Sequence, residues 1–265
     1  MKGCWGLRVR LVAWNCNMAL HRKLDALLSL RPDVAVISEC AAPEVLAARG
    51  VDLDRFSGAL WIGTNRHKGL GIFGFGEYAV RAAPEIGYRL RHILPAHVEG
   101  PLSFNLLGVW ALNIQGGFSR KHQIGPLRRA LSRYHEFLTA SPGIVAGDLN
   151  HNVIWDKPGW RNNHGATVAK MERMGLVSAY HALSGEEQGR ETVPTIYWRD
   201  RKLDGPTYHI DYIFLPRAWL PRVRDFQIGG FAEWCGSGLS DHVPLILELD
   251  PAPHLEGCPA TAPAE

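Results

Sequence analysis

Five short polar stretches end or interrupt otherwise apolar segments of the chain. They are Trp14-Asn15, Ser38-Glu39, Gly147-Asp148-Leu149-Asn150, His209-Ile210-Asp211-Tyr212-Ile213 and Ser240-Asp241-His242. Taken singly, each has an ordinary structural explanation. Asp after Gly suits a turn. Asp241 suits a helix or turn cap, and Glu39 a solvated strand end. His209 and His242 by themselves read as surface or hydrogen-bonded core histidines. Together they place carboxylates, amides and a His–Asp pair at the ends of elements, which is the donor set that metal-assisted phosphoester chemistry needs.

The reason is charge. A phosphodiester is an anion, and attack by hydroxide adds negative charge. A hard divalent cation held by carboxylate oxygens neutralises that charge and keeps water ligands. An oxygen-rich set without cysteine suits magnesium, with manganese as a substitute. A neutral amide binds a phosphoryl oxygen without the repulsion of a further carboxylate. An imidazole backed by a carboxylate moves a proton, or donates to the phosphate, near neutral pH.

The elements that must position these groups are legible from periodicity. Leu7–Trp14 alternates apolar and polar residues as a strand does, and Val34–Ile37 is a short apolar run suited to a buried strand. Further strands are expected at Gly69–Phe75, Phe104–Leu112, Gly143–Ala146, His209–Leu215 and Leu245–Leu249. Arg22–Leu30, Leu127–Leu138 and Val168–Met174 carry helical spacing, the first ended by Arg31-Pro32. Gly69–Gly74 matches G-x-G-x-x-G literally. It lies inside a strand-like run with no helix after it, so close backbone packing explains it better than a dinucleotide. No H-E-x-x-H, G-x-S-x-G or Walker lysine motif occurs.

The 265 residues are 46% hydrophobic and 21% charged, the balance of an ordinary globular protein. Intrinsic disorder is excluded for the bulk of the chain, and no apolar run reaches the roughly 18 residues of a membrane helix. A net charge of +3 permits an anionic substrate without demanding one. Five cysteines, with no C-x-x-C spacing, read as reduced thiols in a cytoplasmic protein, and the N-terminus has no apolar export signal. One domain over residues 1–250 is expected, followed by a disordered tail rich in Pro and Ala at 251–265.

In order and spacing, the five polar stretches resemble the endonuclease/exonuclease/phosphatase superfamily, which includes exonuclease III-like repair nucleases, DNase I-like nucleases and inositol-phosphate phosphatases. The resemblance runs from the first strand to residue 249. It implies an α/β fold: a two-sheet β-sandwich flanked by helices in four layers, with the site at one edge. It also implies roles. Glu39 would bind magnesium, with Asn15 close by and Asp241 completing or supporting the metal site. Asp148 would exchange a proton with the attacking water or the leaving oxygen, and Asn150 would hold the phosphate. His242 would hydrogen-bond the scissile phosphate or act as base, oriented by Asp211. The resemblance leaves open which of Asp148 and His242 is the base, and whether one metal or two is used.

The chain departs from the pattern in three places. Where many relatives carry a His or Tyr after the strand Phe104–Leu112, it has Asn113 followed by Gln115, which argues against a two-histidine mechanism. The usual Arg before Ile-Asp-Tyr is His209, which would make a phosphate-side cation titratable. Pro194–Trp198 resembles a threonine/aromatic stretch of the family, with packing under the site as its other role. Cys16 and Cys40 directly follow Asn15 and Glu39 and read as buried reduced thiols rather than ligands.

Nucleic acid is the leading substrate expectation, with no membrane insertion and no protein partner implied. Basic residues gather at Arg120, Lys121, His122, Arg128, Arg129 and Arg133, and again at Arg199, Arg201 and Lys202. Trp155, Trp160, Tyr197 and Trp198 are interleaved nearby for stacking. The alternatives are a phosphatase or phosphodiesterase for a small phosphorylated metabolite or lipid head group, and a catalytically silent binding module.

Overall fold

The apolar runs pair into two six-stranded sheets. The computed structural model describes residues 8–83, 90, 92–111, 122, 124–198 and 201–251. The strands are β1 (Val9–Asn15), β2 (Val34–Cys40), β3 (Gly58–Asn65), β4 (Lys68–Gly74), β5 (Ala79–Ala82), β6 (Ile93–Glu99) and β7 (Phe104–Trp110). They continue with β8 (Gly143–Asp148), β9 (Leu176–Ser178), β10 (Ile196–Tyr197), β11 (Thr207–Tyr208), β12 (Asp211–Pro216), β13 (Val223–Ile228) and β14 (Leu245–Leu249). One sheet has the order β13-β14-β1-β2-β4-β3, the other β5-β6-β7-β8-β12-β9, and β10-β11 form a separate ribbon.

Strand alternation then builds three cores. Val9, Leu11 and Ala13 of β1 face the other sheet and meet Leu106, Ile144 and Ile213 in the central core. Val12 and Trp14 point the other way, onto α1 (Leu24–Ser29) and α2 (Pro43–Ala47). The second sheet's outer face carries α3 (Pro126–Arg133), α4 (His135–Thr139) and α5 (His164–Arg173), sealed by Leu127, Leu131, Leu138 and Met171. The short α6 (Ala179–Ser184) follows β9. The result is the expected four-layer sandwich.

The differences from the sequence reading have local causes. Leu127–Leu138 divides at Tyr134 into α3 and α4, yet Tyr134 N–H still bonds Ala130 O (2.7 Å) and Leu138 N–H bonds Tyr134 O (2.9 Å). The apolar stripe therefore stays continuous. Helix α5 starts four residues before the expected Val168 because Asp156, distant in sequence, accepts the N–H groups of His164 (2.6 Å) and Gly165 (2.8 Å). The G-x-G-x-x-G run is β4 itself. A Cβ on Gly69 would stand 2.6 Å from Ile62 O, and one on Gly71 would stand 2.9 Å from Cys40 Sγ, so backbone packing accounts for these glycines. The expected disordered tail, apart from residue 251, lies outside the described residues.

Strand register aligns the polar ends. In the first sheet β1 and β2 run parallel with Asn15 opposite Ser38, and Leu245 of antiparallel β14 lies opposite Ala13. In the second, Trp110 and Asp211 both lie opposite Asp148. The polar strand ends thus gather at one edge of the sandwich.

Candidate active site

Each polar strand end is held by a local device. After β1, Asn15 accepts the N–H of Asn17 on Oδ1 (3.0 Å), and Asn17, Met18 and Ala19 follow at positive φ. The Lys23 ammonium closes that loop by donating to the carbonyls of Cys16 (2.5 Å) and Asn17 (3.2 Å). At the end of β2 a bulge against β4 leaves Glu39 at φ 60°, which re-aims its carboxylate. At the end of β8, Gly147 has φ 133°, and a Cβ there would lie 2.1 Å from Val109 O, so only glycine fits. Asp148 Oδ1 then accepts the N–H of Asn150 (2.7 Å), which itself sits at φ 50°.

These ends converge. Asn15 Nδ2 donates to Asp148 Oδ2 (3.0 Å) and, more weakly, to Glu39 Oε1 (3.4 Å), joining the two sheets across the site. His242 Nδ1 lies 2.8 Å from Asp211 Oδ2. Ligand atoms of Asp148, Asp211 and His242 all fall within 4.8 Å of one another. The Ser-Asp-His stretch is stitched to β1: Ser240 Oγ donates to Asn15 O (2.7 Å) and accepts His242 N–H (3.1 Å), while Trp14 Nε1 donates to His242 O (3.1 Å). Asp241, half-buried, stands between the two stitched residues.

Electrostatics follow from this burial. Burial, with Asp211 added, pushes the Asp148 carboxyl up to about 7, against the opposing pull of His242 and Asn15. Burial alone would depress His242, but the charge and hydrogen bond of Asp211, helped by Asp148 and Asp241, push it up to about 10. Asp211 Oδ1 is buried and makes no hydrogen bond. Glu39 is paired with Lys68, whose Nζ lies 2.8 Å from Oε2 and 5.5 Å from the Trp110 ring centroid.

The donors here are carboxylate and amide oxygens with one imidazole. Cys16 and Cys40 are wholly buried; burial pushes the Cys16 thiol up to about 12 and raises Cys40 as well, so neither offers a thiolate. A cluster rich in carboxylates, with no thiolate on offer, fits a hard divalent cation.

The structure therefore brings together Asn15, Glu39, Asp148, Asn150, Asp211, Asp241 and His242. His209 is placed differently. It is buried, its Nδ1 bonds Val193 O (2.8 Å), and it packs against Tyr180, His181 and Tyr212. Burial lowers its pKa, which makes it a neutral core group instead of the expected phosphate-side cation. Asn113, with Arg120, Lys121 and Arg199, lies outside the described residues.

Three contributors were not readable as such. Thr195, fully buried, donates to Asp211 Oδ2 (2.7 Å) and accepts the N–H groups of Ile210 (2.9 Å) and Asp211 (3.0 Å), so the packing role foreseen for its stretch is also one of orienting the acid. Ser240 was visible only as a neighbour of Asp241 and His242. Lys68 gave no signal, because only strand pairing brings it to Glu39.

No family model matches the chain, and no curated protein does. Solved structures share its fold. The 3' phosphatase NExo from Neisseria, bound to a product DNA hairpin, is 18% identical and superposes with a TM-score of 0.68, over 91% of this chain and 99% of that one. An AP endonuclease from Leishmania major is 16% identical with a TM-score of 0.65, over 92% of this chain and 88% of that one. An AP endonuclease from Archaeoglobus fulgidus is also 16% identical with a TM-score of 0.65, over 91% and 99%. The strand order, the site at the sandwich edge and these superpositions agree: the chain has the DNase I-like fold of the exonuclease and AP endonuclease structures.

Proposed function

We propose that the protein is a divalent-metal-dependent phosphoester hydrolase acting on nucleic acid. The observation that carries this is the convergence of Glu39, Asn15, Asp148 and the Asp211–His242 pair at one edge of the sandwich.

In this reading Glu39 and Asp241 hold the cation. When bound, magnesium or manganese offsets phosphoryl charge and makes water more acidic. Asn15 faces the carboxylates with its nitrogen, so it orients Glu39 and Asp148. Asp148 exchanges a proton with the attacking water or the leaving oxygen; a carboxyl raised toward neutrality does this better than an ordinary one. His242, with Nδ1 committed to Asp211, offers Nε2 to a phosphoryl oxygen, and Thr195 fixes Asp211 behind it. Asn150, held by its own N–H bond to Asp148, contacts the phosphate. His209 supports the strand from the core.

Nucleic acid as the substrate is supported by the DNA bound to the Neisseria protein and by the two AP endonucleases that share the fold. The aromatic residues give partial support. Trp198 is exposed, and its ring centroid lies 6.3 Å from that of Tyr208, which packs on Trp155 at 4.8 Å. Tyr197 is buried against Phe231 and is not available for stacking. The buried free thiols Cys16, Cys40 and Cys235 fit a reducing, cytoplasmic setting. No described helix is long and apolar enough to cross a membrane.

The test is a panel of plasmid, single-stranded and abasic DNA, RNA, and generic phosphodiesters and monoesters, each with magnesium, manganese or chelator. Metal-dependent cleavage of at least one polynucleotide is expected. Release of inorganic phosphate from small esters alone would replace the nuclease reading with a phosphatase one. No metal-dependent turnover of anything would favour a silent binding module.

A further inference from the structure

Resting on the nuclease reading, we propose that the groove between α3 and α5 is a second binding site, a track for the sugar–phosphate backbone of a polynucleotide beyond the catalytic pocket. The groove has a volume of about 440 Å³ and is lined by Ile124, Arg128, Arg129, Ser132, Arg133 and Lys170. Among the described residues, no carboxylate lines it, and Arg128, Arg129 and Lys170 make no ion pair.

Neutral groups hold the cations in place. Arg128 donates to Arg161 O (2.9 Å), and Lys170 Nζ donates to Ser132 Oγ. Partial burial, then the charges of Arg128 and Arg173, lower the pKa of Lys170, as expected where cations crowd a partly buried ammonium. An incoming phosphate relieves that crowding.

Position and spacing choose the occupant. Arg128 also lines a separate small cavity with Ala111, Leu149 and His151, the residues that follow the ends of β7 and β8, so the groove shares an arginine with the flank of the catalytic edge. Arg129 and Arg133 are four residues apart on α3, about one turn and roughly 6 Å along the axis. Lys170 faces them from α5. A row of cations along two helices suits an anion that repeats its charge, and a compact phosphate would engage only one end of it. Sequence shows the basic run on α3. Only the fold adds Lys170 and places the row beside the flank of the catalytic edge.

The test compares wild type with Arg129→Gln/Lys170→Gln, two residues outside the catalytic machinery. Binding of a labelled long oligonucleotide is followed by anisotropy in chelator across a salt series, and turnover of a dinucleotide is measured with magnesium. The variant is expected to bind more weakly, with a salt slope reduced by about 0.7 to 0.9 per cation removed, and to turn over the dinucleotide as wild type does. An unchanged slope on an oligonucleotide that wild type binds overturns the track and leaves the nuclease reading intact. An equal loss on the dinucleotide also overturns it, because the substitutions would then act on the site itself. If wild type binds no polynucleotide and hydrolyses only small esters, the nuclease reading fails and the track fails with it. Binding of poly-glutamate in place of oligonucleotide assigns the groove to an acidic protein and overturns the proposal.

Discussion

His242 and His164 are equally buried, at 4% and 3% exposure, yet their surroundings drive them in opposite directions. His242 faces the Asp211 carboxylate at 2.8 Å and is pushed up to about 10. His164 stacks on His151 with ring centroids 5.9 Å apart and has only the Gln188 amide oxygen at 3.2 Å; burial, then His151, bring it down to about 3. Burial alone cannot say whether a core imidazole is a cation. The partner decides: the catalytic edge gives His242 a carboxylate that Thr195 holds in place, whereas the His164 ring meets a neutral amide. The His151–His164–His181–His209 region is a packing unit with its own carboxylate, Glu191, which lies 3.1 Å from His181 Nε2; Asn152 cross-links it by donating to Glu191 (3.1 Å), His209 O (2.9 Å) and Tyr212 Oη (3.0 Å).

The largest effects are expected at the charged region. His242→Ala and Glu39→Gln should each lower metal-dependent turnover by roughly two or more powers of ten without unfolding the chain, measured as kcat beside a thermal melt. Near-full activity in either variant would remove that residue from the site. Thr195→Val should cost less, about tenfold, because it leaves the acid in place but loosens it. Its signature is a shifted pH–rate profile, since the Thr195 hydroxyl bonds the same Asp211 oxygen that faces His242; a profile identical to wild type would limit Thr195 to packing.

The region around His164 should be silent in catalysis and visible in stability. Unfolded His164 takes up a proton near its ordinary value of 6.5, whereas the folded residue resists until about 3. Between those values the unfolded state binds more protons, so stability falls as pH falls, by about 1.4 kcal/mol per unit from this residue. His164→Gln should flatten that acid limb in denaturant titrations between pH 7 and 4. An equally steep limb in the variant would mean that other groups carry it.

Much of this edge was legible in the sequence, and for a physical reason. Strands announce themselves through a period of two, and polar residues that end several apolar strands must share an edge once parallel neighbours are in register. Asn15, Glu39, Asp148 and His242 were visible that way. His209 is expected on the phosphate side because it stands where the resemblance has an Arg before Ile-Asp-Tyr, but its partner in the fold is the Val193 carbonyl, 16 residues away. Lys68 gave no signal and Ser240 showed only as a neighbour of Asp241 and His242, since each acts through a contact that only tertiary pairing creates. The early start of α5 was hidden for the same reason: its N-terminal acceptor is Asp156.

Asp148→Asn tests the central assignment most directly, because the change keeps the shape and removes the ionisable group that Asn15 and Asn150 hold between the two sheets. Single-turnover cleavage of a bound oligonucleotide with magnesium should slow by about a thousandfold or more at unchanged oligonucleotide affinity. Cleavage within tenfold of wild type would contradict the account.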